Sequence, residues 1–165
     1  MSILVFVECS KGEIKKSARE AVTYAAEAGK MTGDKNIVAV VFGECTPEAL
    51  EVPANFGATK VLHVNDSRLN QEHAGAYAAL LAQILNQEHA SILVMPRSAF
   101  LDLVAGRIAG LSGASVVSGV VSLPELDGGF FVRKSIFTGK AFARVAVEGD
   151  PKILVIRKNT IQPRE

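Results

Sequence analysis

The sequence lacks the residue patterns that mark several large classes of protein. It has 165 residues and no Trp, its aromatic content is 6%, and its formal net charge is +1 at pH 7. The basic residues are spread along the chain, so no nucleic-acid partner is predicted. No apolar run approaches the roughly 18–20 residues of a membrane-spanning helix, so no membrane association is expected.

Cysteine is also scarce. Cys9 and Cys45 lie far apart in the sequence and form no C-x-x-C pair, which argues against a disulfide framework or a zinc site. The segment Met1–Val5 has neither the basic region nor the long apolar stretch of a secretory signal peptide. Two free thiols without a targeting signal predict a cytoplasmic protein.

Small and branched apolar residues are abundant. Hydrophobic residues make up 48% of the sequence, and short apolar runs predict strands that are covered on both faces. Four such runs are Ile3–Val7, Asn36–Phe42, Lys60–Val64 and Ser91–Met95. Amphipathic or Ala-rich segments predict helices over Glu13–Gly29, from Thr46 to before Gly57, over Gln71–Gln87 and over Phe100–Leu111.

The alternation of strands and helices predicts an α/β domain with a doubly wound, mostly parallel, Rossmann-like sheet. The last third changes character, because turn residues separate short strands predicted over Ser115–Ser122, Phe130–Ser135, Ala141–Val147 and Lys152–Arg157. We therefore expect a carboxyl-terminal antiparallel hairpin or meander, which either completes the same sheet or forms a small flap. A single domain over residues 1–157 is predicted, followed by a polar tail or linker over 158–165.

In an open parallel sheet, ligands bind outside the carboxyl ends of the strands. The candidate crevice residues after the first and fourth strands are Glu8, Cys9, Ser10, Pro96, Arg97 and Ser98. No G-x-G-x-x-G follows the first strand and no G-x-x-x-x-G-K-[ST] is present. The usual dinucleotide-binding site is therefore not predicted.

Two crevice features leave alternatives open. Cys9 and Cys45 both lie near strand ends, where they are either a redox feature or small, partly buried apolar residues; no His is near either in sequence, which favours the second. Arg97 either meets a phosphate or carboxylate of a partner or bonds a local acid or carbonyl. No nucleophile–base pair and no metal-ligand spacing is found, so neither a catalytic residue nor a metal site is predicted.

Three segments carry a resemblance to a known family. They are Ile3–Glu8 at the first strand, Pro96–Ala109 as a proline-led loop and helix, and Arg133–Ala141 followed by Pro151–Arg157. In their order and spacing, they resemble the amino-terminal domain of the alpha subunit of electron-transfer flavoproteins. Ser118-Gly119 departs from the Ser-Asp pair of many relatives.

The resemblance implies an electron carrier rather than an enzyme. The alpha subunit pairs with a beta subunit in a heterodimer that carries FAD and moves electrons from flavin dehydrogenases to an acceptor. The family's FAD motifs lie in a second, carboxyl-terminal domain, for which this sequence has no counterpart, as in an expressed fragment or a gene without its flavin half. This domain alone is therefore expected to bind no cofactor.

The role that the resemblance implies for this domain is docking to the beta subunit and to the FAD domain of the same subunit. Such a role predicts an exposed apolar patch on the isolated domain. The alternative is an adenine-nucleotide-binding module of the same fold, with its site around Val7–Ser10 and Pro96–Ser98. In the beta subunit this fold can hold AMP, whereas the alpha copy ordinarily holds no nucleotide.

Overall fold

The computed structural model describes residues 1–165 and contains ten strands and four α-helices. The strands are β1 (Ser2–Val7), β2 (Cys9–Ser10), β3 (Glu13–Ile14), β4 (Asn36–Phe42), β5 (Lys60–Val64), β6 (Ala90–Pro96), β7 (Ser115–Val120), β8 (Phe131–Ile136), β9 (Ala141–Ala146) and β10 (Lys152–Ile156). The helices are α1 (Lys16–Thr32), α2 (Pro47–Asn55), α3 (Ala74–Gln87) and α4 (Ala99–Ser112). Short 3-10 helices cover Ser67–Asn70 and Phe137–Gly139.

Eight of the strands form one sheet in the order β5-β4-β1-β6-β10-β7-β8-β9. The first six strands in this order run parallel to one another. Strand β8 is antiparallel to β7, and β9 is antiparallel to β8. The helices connect the parallel strands, so the predicted doubly wound, mostly parallel α/β fold is confirmed. None of the four helices is both long enough and apolar enough to span a bilayer.

The closing strand does not continue an antiparallel meander, as the sequence led us to expect. Instead, β10 lies between β6 and β7 and is parallel to both, with Ile153 opposite Leu93 on one side and Val116 on the other. Residues 153–156 are all buried, and an uninterrupted apolar strand of this kind needs cover on both faces. The antiparallel part is therefore the β8–β9 hairpin at the edge of the same sheet.

A small hairpin follows β1 and was not predicted. Cys9 pairs with Ile14 and Ser10 with Glu13, which delays the start of α1 to Lys16. The turn between β2 and β3 uses left-handed backbone at Lys11, with a φ of 53°. This hairpin lies directly at the carboxyl end of the sheet.

The sheet separates two apolar layers because successive side chains of a strand point to opposite faces. Ile3, Val5 and Val7 of β1 pack beneath α1, while Leu4 and Phe6 face α3 and α4. Helix α1 approaches the sheet closely because its inward face carries fully buried alanines, namely Ala18, Ala21, Ala25 and Ala28.

The polar tail after β10 lies against α1. The buried carboxylate of Glu20 accepts a hydrogen bond from the backbone N–H of Asn159 at 2.9 Å. Farther along, the backbone N–H of Arg164 donates to the Thr23 hydroxyl at 3.2 Å, and Ile161 packs on the core between them. Residues 158–165 therefore have fixed contacts with the domain.

Candidate functional site

The candidate crevice lies where the chain leaves neighbouring strands in opposite directions. From β1 the chain crosses to β4 on one side, and from β6 it crosses through α4 to β7 on the other side. Strands β1 and β6 are adjacent and parallel, so their carboxyl ends form the topological switch point of the sheet. The predicted residues follow these two strands and therefore lie along this edge of the sheet.

Four of the six predicted crevice residues are engaged locally or buried. Glu8 pairs with Lys15 at 2.9 Å, and Pro96 is a buried strand residue. The Ser98 hydroxyl accepts a hydrogen bond from the Leu101 N–H at 3.0 Å and so caps the start of α4. Arg97 meets a local acid, because its Nε lies 3.4 Å from the Asp102 carboxylate.

The side chains of Ser10 and Cys9 make fewer contacts with local partners. Ser10 is exposed in the short hairpin after β1, and Cys9 is partly buried beside it. Both line a cavity that faces the loop after β4 rather than the end of β6. Of the six predicted residues, Arg97 and Ser98 line one cavity, Cys9 and Ser10 line another, and Glu8 and Pro96 line neither.

The Arg97 side of the crevice contains basic residues that the sequence reasoning missed. Arg97, Ser98, Arg157 and Lys158 line a cavity of about 500 Å³, in which Asp102 is the one acidic residue. Arg97 and Arg157 also border a second cavity of about 540 Å³, which contains Lys134 and no acid. Four basic side chains against one carboxylate make this edge suited to an anionic group.

The position of Arg157 follows from the unexpected path of β10. Because β10 lies next to β6, the residue that follows it lies beside Arg97 at the same edge of the sheet. Arg157 Nη1 donates a hydrogen bond to the Ser135 hydroxyl at 2.8 Å, which ties β10 to the β8–β9 hairpin. A basic residue directly after an apolar strand was the available signal in the sequence.

Cys9 and Cys45 line a common cavity of about 560 Å³ at the ends of β1 and β4. The Cys9 thiol donates to the carbonyl oxygen of Glu44 at 3.7 Å. Burial, and next the neighbouring Cys9 thiol, raise the pKa of the Cys45 thiol to about 12. Both cysteines are free thiols, and although they are distant in the sequence they are neighbours in the fold.

No histidine stands beside these thiols as a base. His63 lies in β5, where its Nε2 is 2.6 Å from the carbonyl oxygen of Gly43, whereas His73 and His89 flank α3. The structure has no group of three or more His, Cys, Asp or Glu side chains that could hold a metal ion. A nucleophilic site with its base is therefore not assembled at this crevice.

The residues at the crevice do not fit a flavin. The basic cavity is open and lined mostly by charged and polar side chains, whereas a large aromatic cofactor is usually enclosed by mainly apolar walls. The loop after β1 folds into the β2–β3 hairpin rather than into a glycine-rich phosphate loop. No electron-transfer step is therefore assigned to these residues.

The comparisons with known proteins agree with this fold. The family model described as electron transfer flavoprotein domain matches residues 3–165. The chain is 26% identical over 164 residues to the electron transfer flavoprotein subunit alpha of Bacillus subtilis (strain 168), which covers 99% of this chain and 49% of the relative. It is 28% identical over 153 residues to that of Syntrophomonas wolfei subsp. wolfei, which covers 93% and 47% respectively.

The chain thus spans about half the length of these two curated relatives, and each of the two is an alpha subunit. The family match extends over nearly all of the sheet, the helices and the tail. The resemblance inferred from the strand ends, the α4 region and the closing strand is therefore confirmed, and the chain belongs to the electron transfer flavoprotein domain family.

Proposed function

We propose that this chain is the docking and scaffolding domain of an alpha-type electron-transfer flavoprotein subunit. Its partners are a beta subunit and the FAD domain of an alpha subunit, and the heterodimer with bound FAD carries electrons from flavin dehydrogenases to an acceptor. The chain itself supplies binding surfaces, holds no flavin alone and acts in the cytoplasm. Its family and the alpha-subunit relatives support this proposal.

The observation that carries the docking role is the exposure of two leucines on α4. Leu103 is 53% exposed and Leu111 is 65% exposed, with the exposed Arg107 one turn from each, and Gly106 and Gly110 follow Leu103 at successive turns. Nothing in the domain lies within 4 Å of a Cβ atom placed on either glycine. A partner can therefore approach the helix backbone closely and cover both leucines.

A second exposed apolar surface supports the need for more than one partner. Phe137 is 74% exposed at the tip of the β8–β9 hairpin, and Phe142 is 64% exposed on β9. The β8–β9 hairpin is at the edge of the sheet, whereas α4 covers one face of the sheet. Two separate apolar surfaces match the two expected neighbours, the beta subunit and the FAD domain.

The proposal is tested by mixing the purified chain with FAD and with a cognate beta subunit. We expect the chain alone to stay colourless after removal of free FAD and to form a complex with the beta subunit in sedimentation. A yellow protein without any partner would show that this chain holds the flavin. Failure of the two proteins to associate would refute the docking role.

The α4 face is tested with a double variant, Leu103→Ser with Leu111→Ser. Loss of two leucines that the partner would cover should weaken the complex with the α4-binding partner by about tenfold or more. The matched control is Met31→Ser, because Met31 is 45% exposed on α1, which packs on the other face of the sheet. Equal affinities of the wild type, the double variant and the control would exclude the α4 face as a docking surface.

The alternative function, binding of an adenine nucleotide, is favoured by the basic cavity between Arg97, Arg157 and Lys158. A phosphate group there would meet three cationic side chains. Thermal unfolding with AMP and with ATP tests this, since a ligand at about 100 times its Kd adds about 2.7 kcal/mol of stability. An unchanged Tm with both nucleotides, in the wild type and in Arg157→Gln alike, would exclude it.

A further inference from the structure

The loops that follow β1 and β4 are joined backbone to backbone at the carboxyl edge of the sheet. Gly12 in the hairpin after β1 forms a parallel bridge with Cys45. The Thr46 hydroxyl donates to the carbonyl oxygen of Gly12 at 3.1 Å, and the Thr46 methyl group lies 3.1 Å from the position of a Cβ on Gly12. These contacts hold the second loop against the first.

The same contacts bring the only two cysteines of the chain to one cavity. Cys9 begins the hairpin after β1, and Cys45 precedes the Thr46 cap of α2. The Cys9 thiol reaches the carbonyl of Glu44, the residue bonded to Cys45. Both side chains are partly buried and line the cavity, so a small reagent can reach them from solvent.

We propose that Cys9 and Cys45 form a reversible disulfide that links the loop after β1 to the loop after β4. Neither the family nor the relatives' names assign a role to these two residues. The proposal is independent of the docking role, because the thiols lie at the carboxyl edge between β1 and β4 and not on the exposed face of α4.

The oxidant is a low-molecular-weight disulfide such as oxidised glutathione. One cysteine gives up its proton to solvent, the resulting thiolate attacks one sulfur of the oxidant, and the expelled small thiolate takes up a proton. The other cysteine, after losing its proton, attacks the protein sulfur of this mixed disulfide, forms the Cys9–Cys45 bond and expels the second small thiolate, which also takes up a proton. The protein loses two electrons and two protons, and the oxidant becomes two thiols.

The two thiols influence each other, because burial and the adjacent Cys9 raise the pKa of the Cys45 thiol. Either cysteine can make the first attack, and the other then resolves the mixed disulfide. The product closes a loop that spans β2, β3, α1 and β4, and such a link restricts the unfolded chain.

The experiment is oxidation of the dilute full chain with oxidised glutathione, followed by alkylation of free thiols and measurement of intact mass. We expect the wild type to lose both alkylatable thiols, with a mass lower by two hydrogen atoms and no glutathione adduct. Its Tm should rise by about 5–10 °C and return to the starting value after reduction.

Two single variants identify the intermediate. Cys45→Ser and Cys9→Ser should each stop at the mixed disulfide and retain one glutathione on the remaining cysteine. A wild type that carries glutathione on either cysteine, links only to a second copy of the chain, or keeps both thiols free would overturn the proposal. This test uses only the wild-type chain, so it decides the question even where a substitution impairs folding.

Discussion

The carboxylate of Asp102, in the first turn of α4, accepts a hydrogen bond from the hydroxyl of Ser118 on β7. The other carboxylate oxygen of Asp102 is the one that meets Arg97 Nε. One acid therefore connects the end of β6, the start of α4 and the strand β7, which lies two strands away from β6. It also occupies the N-terminal turn of α4, where negative charge is favourable.

Loss of the Asp102–Ser118 bond should be measurable as a coupling energy. A hydrogen bond to a charged group contributes about 1.5–3 kcal/mol, so we expect Asp102→Ala to lower the free energy of unfolding by about 2 kcal/mol. The double-mutant cycle with Ser118→Ala, followed by urea unfolding, should give a coupling of about 1 kcal/mol or more. Arg97→Ala is the control and should cost less than about 1 kcal/mol, because the Arg97 side chain is 48% exposed and its ion pair is at the surface.

Alkaline pH should destabilise the domain through Tyr24. This side chain is fully buried, its hydroxyl donates to the carbonyl of Ser122 at 2.8 Å, and burial raises its pKa above the usual value near 10. Above about pH 10 the unfolded chain releases this proton while the folded chain keeps it. The contribution of Tyr24 to the free energy of unfolding is therefore fully present below about pH 10. Above that pH the free energy of unfolding falls by up to about 1.4 kcal/mol per pH unit.

The variant Tyr24→Phe separates this contribution from other groups. At neutral pH it should be less stable by about 1 kcal/mol, because the Ser122 carbonyl loses its partner. In urea unfolding the difference from the wild type should shrink as the pH rises above about 10. A difference that stays constant with pH would contradict the assignment. Tyr77→Phe is the comparison, since burial also raises the pKa of Tyr77 but its environment is less enclosed.

The turn after β4 should not tolerate a side chain at Gly43. This residue has a φ of 84°, and a Cβ there would lie 2.5 Å from Asn70 Oδ1, which accepts the Glu44 N–H at 2.8 Å. Gly43→Ala should therefore cost about 2–3 kcal/mol, from left-handed backbone strain and the displaced Asn70. Gly33→Ala is the matched control, because its φ is 82° but nothing lies within 4 Å. Equal losses of Tm in the two variants would argue against the clash.

The sequence predicted the elements well because burial leaves a local pattern. The apolar runs Ile3–Val7 and Asn36–Phe42 are central strands with neighbours on both sides, and both are predicted by their continuous apolar residues. The place of β10 was not predictable in the same way. A continuous apolar run indicates that a strand is buried. Which strands lie on either side of it depends on packing between segments that are far apart in the sequence.

The same limit explains the candidate site. The residues after β1 and β6 were identified from the rule for parallel sheets, and they do lie at one edge. Arg157 was missed because its position beside Arg97 depends on β10 entering the middle of the sheet. The proximity of Cys9 and Cys45 likewise depends on the adjacency of β1 and β4 and on the bridge between Gly12 and Cys45. The basic residue after the closing apolar strand is visible in the sequence, but which strands lie next to each other is not.

The contact between the tail and α1 should depend on Glu20. Its carboxylate is 4% exposed and its partner is the backbone N–H of Asn159, so Glu20→Ala removes the acceptor and leaves that N–H unpaired. We expect the tail to open more often in this variant, with faster tryptic cleavage after Lys158, followed by mass spectrometry. Glu20→Gln keeps an acceptor oxygen at the same place and should be cleaved at close to the wild-type rate. If Glu20→Ala and the wild type were cleaved equally fast, the remaining tail contacts, such as that of Arg164 with Thr23, would be sufficient to hold the segment.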